Sequence, residues 1–87
     1  MNNDIENLKK RLIYRAQYRG TKEMDKLISS FVESCIDKLN LAQLLELEKF
    51  LSIDDDSLYR IYNKQIKAPK NIDLEITNLY LSFVYKN

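Results

Sequence analysis

The sequence predicts an all-α fold, a small five-helix bundle. Three observations carry that prediction. There is one Gly and one Pro in 87 residues, and tight β-turns consume those residue types. Apolar positions recur at i, i+3 and i+4 along most of the chain. Cap residues stand where the apolar runs begin. At this length the chain is read as one helical domain over residues 1–87, large enough for a modest core and too small for a deep cleft between lobes.

The first helix is expected at about 4–18, capped by Asn3 with Glu6 three residues on, and with Ile5, Leu8, Leu12 and Ala16 on one face. Gly20 closes it. The second is expected at about 22–38. Met24, Leu27, Ile28, Phe31, Val32, Cys35, Ile36 and Leu39 make it the clearest amphipathic run and the centre of the core. The third, about 41–51, follows Asn40 as cap with Gln43 three residues later. It is too short for a coiled coil despite its leucines. Asp54, Asp55 and Asp56 open a fourth helix at about 56–65, because Asp caps well and suits the positive end of a helix dipole. Lys67-Ala68-Pro69-Lys70 is a connector. The fifth helix is expected at about 72–85, although Leu79, Leu81, Phe83 and Tyr85 also alternate as a strand would.

The composition excludes most chemistry. There are 14 basic and 13 acidic residues, net charge +1 and no His. Without His the chain lacks the side chain most used for acid–base work near neutral pH, and a Ser-His or Cys-His nucleophile is impossible. One Cys and one Gly rule out a zinc-cysteine site, an internal disulfide and a Gly-rich phosphate loop. Cys35 reads as a small buried hydrophobe. Asp54-Asp55-Asp56 lacks the spacing of a calcium loop. No basic stripe marks a nucleic-acid binder; Lys9, Lys10 and Arg11 read as a solvated face. No run is long enough to span a membrane. Met1-Asn2-Asn3-Asp4 resembles neither a signal nor a transit peptide, so a cytoplasmic location is expected. No enzyme activity, metal or stably bound cofactor is expected.

One corner stands out. Arg11-Leu12-Ile13-Tyr14-Arg15-Ala16-Gln17-Tyr18-Arg19-Gly20-Thr21-Lys22-Glu23-Met24-Asp25 resembles the signature of the succinate dehydrogenase assembly factors, called SdhE in bacteria, centred on Arg19-Gly20-x-x-Glu23. The leucine-rich third helix, the Ile53-to-Tyr59 acidic turn and the Lys67-Ala68-Pro69 connector resemble that family in order and spacing. The chain departs from it at Thr21, where the family often has Met or Leu, at Asp56, often Pro, and at Ile61, often Trp.

The resemblance implies a small helical bundle that promotes covalent FAD attachment to the flavoprotein subunit of succinate dehydrogenase, and sometimes of fumarate reductase. It implies transient docking by a monomer, with the flavin-accepting His supplied by the flavoprotein. The implied partner-binding residues are Arg19, Gly20 and Glu23, with Arg11 and Arg15 flanking them and Asp54 and Asp55 as a second, acidic patch. On this reading the glycine lets a partner backbone approach closely, Arg19 makes a bidentate contact with the partner, and Glu23 holds Arg19 or meets a partner base. The corner also has a purely structural explanation. Arg19 suits the C-terminus of the first helix and Glu23 the N-terminus of the second, and an exposed pair between them contributes only ~0–1 kcal/mol. Two rivals are a generic helical interaction module and a helix-turn-helix nucleic-acid binder. Near-neutral charge argues against the second.

Overall fold

The chain folds as five helices with no strand among the described residues, which are 2–85 of this computed structural model. Helix α1 runs Asn2–Gln17, α2 Lys22–Cys35, α3 Leu41–Leu51, α4 Asp55–Tyr62 and α5 Leu74–Ser82, with a 3₁₀ turn at Ile36–Lys38 after α2. Helix α1 packs on α2 and α3, and α5 packs on α3 and α4.

The caps explain most of the starts. Thr21 accepts from the backbone N–H of Met24 at 3.2 Å. Asn40 and Gln43 form the reciprocal capping box, at 2.9 and 2.8 Å. Asp54 accepts from Ser57 N–H at 3.0 Å to start α4, and Asp73 accepts from Ile76 N–H at 3.1 Å to start α5. Each satisfies a donor that a helix N-terminus leaves without a partner.

Boundaries of four helices differ from the sequence expectation. Helix α1 already includes Asn3, so Asn3 is not its cap; that side chain lies outside the described residues. Helix α2 tightens to 3₁₀ after Cys35 instead of continuing as α to Lys38. Helix α4 stops at Tyr62, short of Gln65, because Lys64 turns left-handed at φ 61°. The N–H groups of Lys64 and Gln65 then close back on the Ile61 and Arg60 carbonyls. Helix α5 begins after Asp73 and ends at Ser82 rather than Tyr85. The Tyr62 hydroxyl donates to the Phe83 carbonyl at 2.7 Å and accepts from Tyr85 N–H at 3.2 Å, holding residues 83–85 extended.

The core is built round aromatic rings. Phe31 of α2, Phe50 of α3 and Tyr80 of α5 meet with centroids 4.9–5.9 Å apart. Extended Phe83 adds a fourth ring, 5.8 Å from Phe31. Such tilted and edge-on pairs contribute about 0.5–1.5 kcal/mol each beyond burial. Leu12, Ile28, Leu44, Leu47, Leu58, Ile61 and Ile76 complete the interior. The buried Tyr80 hydroxyl donates to the Leu58 carbonyl at 2.8 Å, and no buried side-chain N or O among the described residues lacks a partner. Burial pushes its ionisation well above the ordinary phenol range.

Candidate functional site

The corner between α1 and α2 is held by an arginine that faces inward. The Arg19 side chain is only 10% exposed. Its guanidinium donates through Nε to Asp55 Oδ1 at 2.8 Å, through Nη1 to the Leu51 carbonyl at 2.5 Å and through Nη2 to the Ile53 carbonyl at 2.7 Å. Leu51 and Ile53 lie where α3 ends, and Asp55 lies in the first turn of α4. One planar cation thus satisfies carbonyls that a helix C-terminus leaves open and binds a carboxylate placed by the next helix start. The bidentate contact expected with a partner is therefore made within the chain. Glu23 does not hold Arg19 either; Asp55 does.

Asp25, which the sequence reading left without a role, clasps the backbone of the corner. Its Oδ1 accepts from Arg19 N–H at 2.5 Å and Gly20 N–H at 3.2 Å. Gly20 itself sits at φ +134°, a conformation L side chains rarely adopt. A Cβ there would meet only Asp55 Oδ2, at an ordinary 3.6 Å. The glycine is required by its backbone, not by lack of space. Thr21 is explained by its cap, which Met or Leu could not provide.

With Arg19 turned inward, other groups form the exposed surface. Glu23 is exposed and has no ion pair or side-chain hydrogen bond among the described residues. Beside it runs a groove of about 520 Å³ lined by Thr21, Glu23, Met24, Asp55, Asp56 and Tyr59. Asp55 therefore belongs to the corner and not to a separate patch. Asp54 is an exposed helix cap, held below the usual carboxylate range by the hydroxyl and then the backbone N–H of Ser57. Arg11 pairs with Glu48 of α3 at 2.8 Å, about two helical turns before the corner. Arg15 is half-buried, with no ion pair among the described residues.

The sequence reading also missed Tyr14 and Tyr18. They are 64% and 67% exposed and pack against each other at a tilt, with ring centroids 4.6 Å apart. Arg11, Tyr14 and Arg15 share one stripe of α1, and Tyr18, just past its end, continues the i, i+3, i+4, i+7 spacing toward Gly20. The spacing was visible, but an aromatic at helical spacing is more often core, and only the fold shows this pair outside. Among the described residues no group of three or more His, Cys, Asp or Glu is arranged to hold a metal, and no helix is long and apolar enough to cross a membrane.

Fold and site together define a small α-helical bundle with a rigid, glycine-bearing corner on its surface. Comparison with known proteins narrows this class. The pattern of the family described as flavinator of succinate dehydrogenase (Sdh5) matches residues 10–83, and the chain belongs to that family. It is 32% identical over 76 residues to mitochondrial succinate dehydrogenase assembly factor 2 of Dictyostelium discoideum, covering 87% of this chain and 54% of that protein. The namesake from Aspergillus flavus is 36% identical over 56 residues, 64% of this chain and 19% of the relative. The FAD assembly factor SdhE of Acetobacter pasteurianus is 40% identical over 50 residues, 58% of this chain and 46% of the relative. The chain thus spans about half the length, or less, of these curated relatives. No solved structure matches it.

Proposed function

We propose that this chain promotes covalent attachment of FAD to the flavoprotein subunit of succinate dehydrogenase, acting as a docking factor and not as a catalyst. The observation that carries the reading is the Gly20 corner. Its backbone is fixed by Asp25, its base is locked by Arg19, and its outward groups (Glu23, Tyr14 and Tyr18) are committed to nothing else in the fold. A pre-ordered surface loses little conformational entropy on binding.

Docking accelerates flavin attachment if the factor binds more tightly to the flavoprotein conformation in which the bond forms. The flavoprotein supplies the flavin-accepting residue, which agrees with the absence of His here. The chain acts as a cytoplasmic monomer and holds no cofactor of its own. Arg19 serves as a positioning residue, while Glu23 and the two tyrosines touch the partner.

The test is a time course of covalent flavin on the isolated flavoprotein mixed with FAD, with and without this chain. The expected result is faster attachment, slowed by Glu23→Ala while that variant melts within about 2 °C of the parent, because an exposed unpaired carboxylate adds little stability. Equal rates with and without the chain would overturn the proposal.

A further inference from the structure

A second groove is lined by the end of α4, the connector after it and α5. It has a volume of about 780 Å³, and none of the residues that line it lines the corner groove. Ile61, Ile66, Pro69, Ile72, Leu74 and Leu81 form its apolar lining, with Leu74 75% and Ile66 41% exposed. Its other notable feature is charge. Lys64, Lys67 and Lys70 all line it, and no Asp or Glu does. None of the three lysines makes an ion pair among the described residues. In a chain of net charge +1 this is a local concentration of positive charge beside exposed apolar surface. Among the described residues the N–H groups of Ile66, Lys67 and Ala68 make no backbone hydrogen bond.

We infer that this groove binds an acidic amphipathic protein segment, one that seats two or three large apolar side chains between α5 and the connector and sets carboxylates against Lys64, Lys67 and Lys70. The argument is charge complementarity on an apolar base. A concave groove of this size also suits an inserted protein segment better than a flat lipid surface. The corner groove differs: two of its carboxylates, Asp55 and Asp56, are already paired with Arg19 and Arg60, and Glu23 is left open. This inference is independent of the flavoprotein reading and stands or falls by itself.

The experiment uses the whole chain and two fluorescent peptides of about 14 residues, long enough for marginal helix formation. Each carries Leu at i, i+3, i+4 and i+7. One has Glu at the remaining positions and the other has Lys. Binding is read by anisotropy, and the site by amide shifts of the isotope-labelled chain. The Glu peptide should bind at least ~10-fold more tightly than the Lys peptide, weaken with added salt, and shift amides between Ile61 and Leu74. The triple variant Lys64→Glu, Lys67→Glu, Lys70→Glu should reverse the preference. Leu74→Ser should weaken both peptides; its side chain is exposed, so the fold is preserved.

Equal affinity for the two peptides, or shifts confined to the Gly20 corner, would overturn the inference. So would no binding of the Glu peptide at about 1 mM, a concentration that reaches even weak complexes. Phosphatidylglycerol vesicles serve as the other arm. Vesicle binding that needs the three lysines, with no peptide binding, would assign the groove to an anionic lipid surface instead.

Discussion

The Arg19 guanidinium, in the corner between α1 and α2, lies 2.8 Å from the Asp55 carboxylate of α4, 36 residues away, and its two remaining arms hold the carbonyls of Leu51 and Ile53. Three helices are tied at one point. Removing the cation leaves a mostly buried carboxylate and two carbonyls without partners. Charged hydrogen bonds contribute about 1.5–3 kcal/mol each and do not add, so Arg19→Ala should cost about 2–4 kcal/mol. For a chain of this size that is a fall in melting temperature on the order of 10–20 °C. Arg19→Lys should recover only part of it, because an ammonium lacks the planar fan. Thermal melts of both variants check this. A shift within about 2 °C, the size typical of a neutral surface change, would mean that Arg19 is free to face a partner.

Gly20 calls for a paired comparison. At φ +134° any side chain strains the backbone, so Gly20→Ala should lose about 1–3 kcal/mol. Gly20→Arg carries the same backbone penalty. Docking is separated from stability by assaying both variants at a temperature where both are folded. Flavin attachment should fall further with Arg than with Ala, since only Arg places bulk on the corner. Equal losses would assign the whole effect to backbone geometry.

Tyr14 and Tyr18 offer exposed aromatic surface next to the corner. The double variant Tyr14→Ser, Tyr18→Ser should leave the melting temperature nearly unchanged. It should weaken binding to the flavoprotein by ~10-fold or more, the scale of an aromatic anchor in an interface. Titration calorimetry with the parent and the double variant checks both halves. Unaltered affinity would remove the tyrosines from the docking surface.

Cys35 is 6% exposed, and desolvation pushes its thiol up to about 11, partly opposed by nearby Lys38. The native protein should therefore resist thiol reagents at pH 8 and react only when denaturant opens it. The sign of the pH effect follows. The unfolded thiol ionises near 9.0, before the folded one. Between these values the unfolded state binds fewer protons, so stability falls as pH rises from about 9 to 11. Rapid native labelling at pH 8 would contradict the burial.

Much of the local structure was legible from residue order. Asn40 with Gln43, and Asp54 before α4, mark their helix starts because capping is a contact within three residues. The α2 stripe through Phe31 marks the core because burial follows helical period. The ends were harder to place. Nothing in the composition of Lys64 announces a left-handed turn, and the extended run at Phe83–Tyr85 depends on the Tyr62 hydroxyl, more than 20 residues away.

The sequence by itself determined an all-α fold, the caps at Asn40 and Asp54, and the absence of His-based chemistry, and it singled out Arg19-Gly20-x-x-Glu23 by resemblance. Only the tertiary structure decided what each corner residue does. It turned Arg19 inward to Asp55, gave Asp25 the backbone of the turn, joined the acidic turn to the corner and left the tyrosine pair outside. The physical reason is range. Caps and amphipathic period act over one or two helical turns and are written in neighbouring residues. The partner of a charged side chain is chosen by which helix ends meet in space, and here they meet across 36 residues of chain.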